Sequence, residues 1–187
     1  MRMTALTVRT LGEDDWQIYR DVRLSALEES PEAFAASSSA EKQLDESAWR
    51  RRMARARRIL ATDENGDKVG VVSLRSDVRD DEESPYGELF GLWVTPDARG
   101  TGVAVALLEA VLEQARKESL GAVIYWVGTD NARGVSFASS RGFLPTEHRR
   151  PMNPNSSDTE SEEEAAFVYP VGADETSIPS DVLDARH

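Results

Sequence analysis

Short apolar runs alternate with amphipathic stretches along the chain, and this alternation predicts an α/β fold. Runs with β-type patterning predict six to seven strands, at residues 5–11, 59–62, 68–74, 89–94, 122–127, from 143 onward and 165–171. Apolar residues at helical spacing predict about four helices, within residues 12–30, from about 41, over 104–115 and at 131–141. Asn65-Gly66-Asp67 lies between the second and third runs and predicts a β-hairpin.

One strand–turn–helix unit organises the middle of the chain. The apolar run that ends at Val94 is broken at Thr95-Pro96-Asp97, and Arg99-Gly100-Thr101-Gly102 leads directly into a long amphipathic stretch. Residues 122–127, AVIYWV, predict a further buried strand. A strand, helix and strand in this order form a right-handed crossover, so we expect the two strands to be parallel or nearly so.

The glycine turn of this unit is a candidate anion site. The first N–H groups of a helix have no partner within the helix and carry the positive end of its dipole. Glycine at 100 and 102 removes the side chains that would keep a phosphate away, so several N–H groups can point at one pyrophosphate. Because loops use glycine for many reasons, a tight connection without a ligand is the alternative interpretation.

Composition limits the chemistry that the chain can perform. Its 187 residues, 40% of them hydrophobic, suit one domain, which we expect at residues 1–171, followed by an acidic, disordered tail at 172–187. The lack of cysteine excludes disulfides and cysteine nucleophiles, and with only two histidines we expect no metal site. No apolar run has membrane-spanning length and the first residues lack a signal-peptide core, so we expect a cytoplasmic protein.

The charge pattern bears on the partners. The formal net charge is −12, most of it past Pro151, which argues against general nucleic-acid binding and is compatible with a cationic small substrate. Residues 76–84, SDVRDDEES, are either a solvated loop or, if they overhang the site, an attractor for an ammonium group. We expect neither a nucleic-acid nor a membrane partner, and a monomer or a homodimer.

Six arginines crowd the end of the second predicted helix. They are Arg50, Arg51, Arg52, Arg55, Arg57 and Arg58. Cations near a helix C-terminus are favourable, so we interpret them as a solvated basic face. An RNA-binding patch and a contact to an anionic cofactor are the alternatives.

Two motifs together resemble the GNAT family of N-acetyltransferases. The family's first signature is Gln or Arg, two residues, Gly, one residue and Gly or Ala, after a strand that ends in Val-x-Pro; here Val94-Thr95-Pro96 precede Arg99-Gly100-Thr101-Gly102-Val103-Ala104. The second, an Asn that opens a short helix ending in Gly-Phe, is present as Asn131 and Gly142-Phe143. The resemblance covers about residues 6–171 and implies a mixed, mostly antiparallel sheet with one splayed parallel pair.

The resemblance also implies acetyl-CoA as the co-substrate. In the family, backbone N–H groups of the turn hold the CoA pyrophosphate, and the exposed backbone of the splayed strand pairs with the pantetheine arm as an added strand would. The cofactor-binding residues implied here are Leu92, Trp93, Val94, Arg99, Gly100, Thr101, Gly102, Val103, Ala104, Asn131, Ser136 and Ser139.

The implied chemistry is direct attack of an amine on the thioester in a ternary complex. Alkyl amines are mostly protonated at neutral pH, so a base must remove a proton. Glu88 lies eleven residues before Arg99, the spacing at which the histone acetyltransferase branch carries its glutamate base; a solvated glutamate is the alternative. The resemblance makes the backbone N–H of Val94 the oxyanion donor.

The tyrosine that many family members use as general acid is missing. It stands seven residues after the helix-opening Asn, and that position is Ala138. Because a thiol is a tolerable leaving group without an acid, we hypothesise a slower enzyme in which Ser139, Ser140 or water substitutes. A CoA-binding sensor without catalysis is the alternative, and a dinucleotide-binding domain fits poorly because no G-x-G-x-x-G follows an early strand.

The residues indicate the acceptor only by its chemical class. Acceptor choice in such folds sits in loops such as residues 31–40 and 76–86. We expect a primary amine of a small molecule, a protein N-terminus or a lysine, with Phe34, Tyr86 and Glu88 as substrate-binding residues. The segment around Phe34 is either a pocket wall or a plain connector.

Overall fold

The computed structural model describes residues 5–34, 37–77, 85–152 and 162–172. Its strands are β1 (Thr7–Thr10), β2 (Arg57–Thr62), β3 (Lys68–Asp77), β4 (Tyr86–Val94), β5 (Ala122–Gly128), β6 (Leu144–Pro151) and β7 (Glu163–Pro170). Its helices are α1 (Trp16–Glu29), α2 (Ser38–Lys42), α3 (Glu46–Arg55), α4 (Val103–Lys117) and α5 (Ala132–Ser140). The chain divides into two compact units, Met1–Arg75 with Phe90–Gln114 (unit 1), and Ser76–Leu89 with Ala115–His187 (unit 2).

The strands form a seven-stranded sheet in the order β1-β2-β3-β4-β5-β7-β6. Strands β1 and β2, β2 and β3, β5 and β7, and β6 and β7 pair antiparallel. Strands β4 and β5 pair parallel, from Tyr86 opposite Ala122 to Leu89 opposite Tyr125. The predicted mixed sheet, with its parallel pair on either side of the α4 crossover, is confirmed, whereas the splaying of that pair stays a prediction.

Unit 1 packs α1 and α3 on the sheet. The apolar stripe of α1 meets two residues of α3, and Trp49 is fully buried with its ring in an edge contact with Tyr19, 6.0 Å between centroids. The cluster contains Leu11, Tyr19, Val22, Ala26, Trp49, Met53, Leu60, Val71 and Trp93. Helical spacing on α1 places its apolar face in this core, whereas β2 and β3 are buried on both faces and contribute Leu60 and Val71 to it.

The single helix predicted from about residue 41 is two helices. Asp45 accepts a hydrogen bond from the backbone N–H of Ala48 at 2.8 Å and caps α3, whereas α2 ends at Lys42. An aspartate side chain that bonds the backbone favours a helix start over a helix interior, which is why the helix breaks there.

In unit 1, Gly70 of β3 lets the first turn of α4 approach the sheet closely. A Cβ at Gly70 would lie 2.9 Å from Cγ1 of Val103, and 3.0 Å from both Cδ1 of Leu107 and the carbonyl oxygen of Trp93. Val103 and Leu107 are buried, so this contact sets the height of the helix start above β3.

Unit 2 has an apolar cluster on one sheet face. Its buried members are Tyr86, Ala122, Ile124, Ala166 and Val168, with Trp126 packed against them. Three aromatic rings are also in contact: Tyr125 meets Phe143 edge-on at 6.0 Å, and Phe143 meets Tyr169 at a tilt, 5.5 Å between centroids. Gly142 stands beside Tyr169 with φ of +92°, a conformation that glycine adopts without strain.

Several expectations fall outside the described residues or are not tested. The predicted tail beyond Gly172, the stretch 153–161 and most of the acidic stretch 76–84 lie outside them. Within the part of the chain that the structure describes, no helix is long and apolar enough to cross a membrane. The single-domain assignment, the cytoplasmic location and the oligomeric state stay predictions.

The close contact at Gly70 predicts a packing cost. We expect Gly70→Ala to lower the free energy of unfolding by about 1–3 kcal/mol, because the methyl group overpacks the helix–sheet interface. Gly12→Ala is the control, since its Cβ would make an ordinary 3.7 Å contact to Oδ2 of Asp15 and should change stability by under about 0.5 kcal/mol. Chemical denaturation measures both variants, and equal stabilities would contradict the role of Gly70.

Candidate functional site

The turn before α4 has a backbone shape that requires its two glycines. After β4, residues Pro96–Ala98 form a 3-10 turn, and the N–H of Thr95 donates to the carbonyl oxygen of Val69 at 2.9 Å. Gly100 has φ of +78° and Gly102 has φ of +94°, both in the left-handed region. A Cβ on either would meet no described atom within 4 Å, so the space beside the turn is open.

This open space lies at the N-terminus of a fifteen-residue helix. The first helical hydrogen bond runs from the N–H of Ala106 to the carbonyl oxygen of Gly102 at 3.0 Å. The N–H groups of the first turn have no partner within the helix, and Val103 anchors that turn in the core while Thr101 and Gly102 stay exposed. The arrangement is suited to binding an anion.

Glu29 holds the turn in place. Its Oε2 accepts hydrogen bonds from Nε1 of Trp93 and from Nη2 of Arg99, each at 2.8 Å, and also from the hydroxyl of Ser30. Arg99 in addition donates from Nε to the carbonyl oxygen of Val94 at 3.0 Å. One carboxylate thus joins the end of α1, the end of β4 and the turn.

Glu29 was not among the residues predicted for the site, although the sequence carries a signal for it. A carboxylate at the last residue of a helix faces the negative end of the helix dipole, so it is stable only with partners of its own. Those partners, the Ser30 hydroxyl, the Trp93 indole and the Arg99 guanidinium, hold the pKa of the Glu29 carboxyl below its usual value.

Gly91 was also missed. It has φ of +63° in the interior of β4, where a regular strand residue has negative φ. A lone glycine within an apolar run is the sequence signal of such an irregularity. The irregularity directly precedes Leu92, Trp93 and Val94, the residues predicted to pair with the pantetheine arm.

In unit 2, Glu88 lies in a buried ion-pair network. The residue is 5% exposed, and its Oε1 lies 3.5 Å from Nη2 of Arg150. Arg150 also donates from Nε to Oε2 of Glu164 at 2.8 Å and stacks over Trp126, 4.2 Å from the ring centre. Glu88 is therefore not the solvated glutamate of the alternative interpretation.

Asn131 is the N-cap of α5. Its Oδ1 accepts a hydrogen bond from the N–H of Gly134 at 3.0 Å. Ser136 and Ser139 are exposed on the same helix, whereas Ala138 is fully buried. Tyr86, predicted to contact the substrate, is buried in the apolar cluster of unit 2, and that role stays a prediction.

The six arginines of α3 and the start of β2 are not one solvated face, so that interpretation was wrong for two of them. Arg58 belongs to β2 and is only 5% exposed, and Arg52 binds the buried carboxylate of Glu41 at 2.5 Å. Arg50 remains at the surface with Glu46 and Asp14. The position of Arg58 shortly after a helix does not reveal that it faces inward. Its place two residues before Leu60 on β2, and so on the same face of the strand, does reveal this.

Comparison with known proteins identifies the family. The model of the acetyltransferase (GNAT) family matches residues 19–143, well over half of the chain. The chain belongs to the GNAT family.

Relatives and solved structures agree with this membership. A mycothiol acetyltransferase of Renibacterium salmoninarum is 27% identical over 141 residues, which are 75% of this chain and 41% of the relative, so the chain spans about two fifths of that protein. A GNAT acetyltransferase of Streptococcus pneumoniae superposes with a TM-score of 0.70 at 18% identity, covering 90% of this chain and 100% of the other. Salmonella typhimurium yncA, solved with acetyl-CoA, gives 0.68 at 17% identity, covering 91% and 96%.

Among the tyrosines of this GNAT chain, Tyr125 is a poor general acid. The apolar surroundings of its hydroxyl and the negative charge of Glu164 raise the pKa of Tyr125 to about 12. A phenol with this pKa releases its proton less readily than an ordinary tyrosine. It is therefore unsuited to replace the acid missing at Ala138.

The contacts of Glu29 predict a link between one carboxylate and the glycine turn. We expect Glu29→Gln to weaken acetyl-CoA binding about threefold to tenfold, because the charge-assisted bond to Arg99 is lost. Glu28→Gln is the control, since Glu28 pairs at the surface with Lys42 and should change affinity less than about twofold. Calorimetric titration measures both, and equal affinities would remove Glu29 from this role.

The raised pKa of Tyr125 predicts a loss of stability at alkaline pH. Unfolding returns the phenol to its ordinary pKa near 10, so the folded protein holds the proton more tightly, and stability falls as pH rises from about 10 towards 12. At pH 11 the loss attributable to this group should be about 1.4 kcal/mol, and it should be absent in Tyr125→Phe. Denaturation at pH 8 and pH 11 tests this, and parallel losses in both proteins would contradict it.

Proposed function

We propose that this chain is an N-acetyltransferase that uses acetyl-CoA to acetylate a primary amine. The observation that carries the proposal is the turn 99–104, where two glycines with positive φ leave open space at the start of a long helix. A diphosphate needs several N–H donors directed at one point, and this turn supplies them. The family membership supports the same ligand.

Unit 1 supplies the cofactor residues. The backbone of residues 99–104 holds the diphosphate, and the backbone of Leu92, Trp93 and Val94 pairs with the pantetheine amides. When bound, acetyl-CoA supplies an acyl thioester whose carbonyl carbon accepts the amine nitrogen and whose sulfur leaves as a thiolate. The N–H of Val94 donates to the carbonyl oxygen as that oxygen gains negative charge. In unit 2, Asn131, Ser136 and Ser139 are the further cofactor contacts.

Glu88 removes the proton from the acceptor ammonium, directly or through a water molecule. It is a carboxylate held at low exposure by Arg150, so its position is fixed before the substrate arrives. Arg150 is in turn held by Glu164 and Trp126. We assign Glu88 as the base and Arg150 as a positioning residue.

In this mechanism, solvent or the hydroxyl of Ser139 takes the place of the missing tyrosine. Ala138 is buried and carries no proton to give, and Tyr125 holds its proton too tightly. The leaving thiolate takes a proton from solvent or from the exposed hydroxyl of Ser139. Because a thiolate is a moderate leaving group, turnover continues at a reduced rate.

The test combines an acceptor screen with one variant. Purified protein and acetyl-CoA are incubated with a panel of primary amines, free thiol is measured, and the acetylated product is detected by mass. We expect thiol release with at least one class of amine, and Glu88→Gln to lower kcat at neutral pH by about tenfold or more. Glu163→Gln, an exposed carboxylate of β7, is the control and should keep wild-type turnover.

Two outcomes would contradict the proposal. Binding of acetyl-CoA without thiol release from any amine would indicate a sensor domain instead of an enzyme. Wild-type turnover by Glu88→Gln from pH 6 to pH 9 would remove Glu88 from the mechanism.

A further inference from the structure

Two arginine side chains of unit 1 lie over the rings of Tyr19 and Phe90. Arg58 of β2 lies over the rings of Tyr19 and Phe90, at 4.5 and 5.3 Å from the ring centres. Arg75 of β3 lies 5.5 Å from the centre of the same Phe90 ring. Burial and the nearby charges of Arg23, Arg52 and Arg75 lower the pKa of Arg58, as expected where cations converge.

Within the part of the chain that the structure describes, Arg23 and Arg52 pair with one carboxylate and Arg58 pairs with none. Glu41, 4% exposed, accepts hydrogen bonds from both Arg23 and Arg52. Arg58 donates to two neutral groups, the hydroxyl of Ser73 at 2.7 Å and the carbonyl oxygen of Arg52 at 2.9 Å. Its buried Nε has no hydrogen-bond partner among the described residues. A buried guanidinium without a counter-ion is costly, so a site for an anion is the physical reason we assign to it.

The guanidinium of Arg23 lies beside β4. Its Nε and Nη2 donate to the two carboxylate oxygens of Glu41, at 3.2 and 3.3 Å, which fixes one edge of the guanidinium. The remaining nitrogen, Nη1, lies 4.0 Å from the position that a Cβ would take at Gly91. Glycine at 91 therefore leaves the space between Nη1 and the strand free of a side chain.

Phe34 completes the surroundings of Arg23. Its ring centre lies 4.9 Å from the guanidinium carbon, and the residue is half-buried against the core of unit 1. Stacking on an aromatic ring fixes the guanidinium plane and lowers the local dielectric constant, which strengthens an ion pair formed there. Phe34 was predicted as a substrate-binding residue, and this contact gives it a specific role.

We propose that the acceptor is an α-amino acid or a close analogue, whose carboxylate binds Nη1 of Arg23 within the field of Arg58. The inference rests on the proposed function and names its acceptor class. The carboxylate on Arg23 brings the neighbouring amine to the β4 backbone at residues 91–94, where the thioester is to lie. Such an acceptor is a zwitterion, and the excess of arginine disfavours polyamines, which carry only positive charge.

Acetyl transfer to an amino acid conserves atoms and charge. The ammonium of the amino acid loses one proton to the base, and its nitrogen forms a bond to the thioester carbon. The bond from that carbon to sulfur breaks, and the sulfur leaves as a thiolate. The nitrogen loses a second proton, the thiolate takes one, and the products are an N-acetyl amino acid, CoA and one proton released to solvent.

Matched acceptors test the proposal. Each amino acid is compared with its amide and with the amine that lacks the carboxylate, for example leucine, leucine amide and isoamylamine, and spermidine is included. We expect kcat/KM for at least one amino acid to exceed that of its amide by about tenfold or more, since a charge-assisted pair with arginine is lost in the amide. In Arg23→Gln, this ratio should fall to within about threefold of one.

Arg50→Gln is the control variant, because Arg50 pairs with Glu46 and Asp14 on the surface of α3, and it should keep both the ratio and the turnover. Arg23→Lys keeps the positive charge but loses the planar fork, so it should retain part of the preference for the acid over the amide. This variant provides the test if Arg23→Gln does not fold. Equal use of acids and amides, or a preference for spermidine, would overturn the proposal while leaving the acetyltransferase activity intact. Acetyl-CoA binding with no thiol release from any acceptor would overturn both.

Discussion

The carboxylate of Glu29 is the interaction on which the cofactor turn depends. The glycines at 100 and 102 give the turn its shape, but that shape is useful only if the turn stands at a fixed place relative to the end of β4. Glu29 fixes this place because one of its oxygens accepts from Trp93 on the strand and from Arg99 in the turn. Arg99 closes the loop of contacts through the carbonyl oxygen of Val94. The positive side chain at the turn is therefore committed to the protein itself, and the backbone N–H groups are left for a ligand.

Close packing provides the second support for the turn. Gly70 has no side chain at the point where Val103 and Leu107 meet β3, so the start of α4 lies against the sheet. Side-chain hydrogen bonds thus hold the start of the turn at Arg99, and helix–sheet packing holds its end at Val103. A site that must bind a flexible, highly charged cofactor gains from such fixed geometry, because less ordering is needed when the ligand arrives.

Buried charge distinguishes the functional parts of each unit from the rest of the core. In unit 1 the buried charged residues are Glu41 and Arg58, and in unit 2 Glu88 is buried beside Arg150. Removing a charged group from water is costly, so buried charges are expected where binding or chemistry requires them. The proposed roles of Glu88 as a base and of the arginine patch as the acceptor site fit this expectation. With the proposed acceptor, the expected substrate is a zwitterion and not a simple cation.

The order of most elements, the parallel pair around the crossover helix and the family could be predicted from the residues alone, because these follow from local periodicity, glycine positions and motif spacing. The glycine turn, Asn131 at the start of α5 and Glu88 as a candidate base were predicted in the same way. That Glu29 fixes the turn, that Arg58 points inward and that Arg23 lies beside Gly91 became apparent only in the folded chain. Glu29 and Trp93 are 64 positions apart in the chain, and Arg23 and Gly91 are similarly distant. Contacts of this kind depend on how strands and helices pack against one another, and no local pattern of residues encodes them.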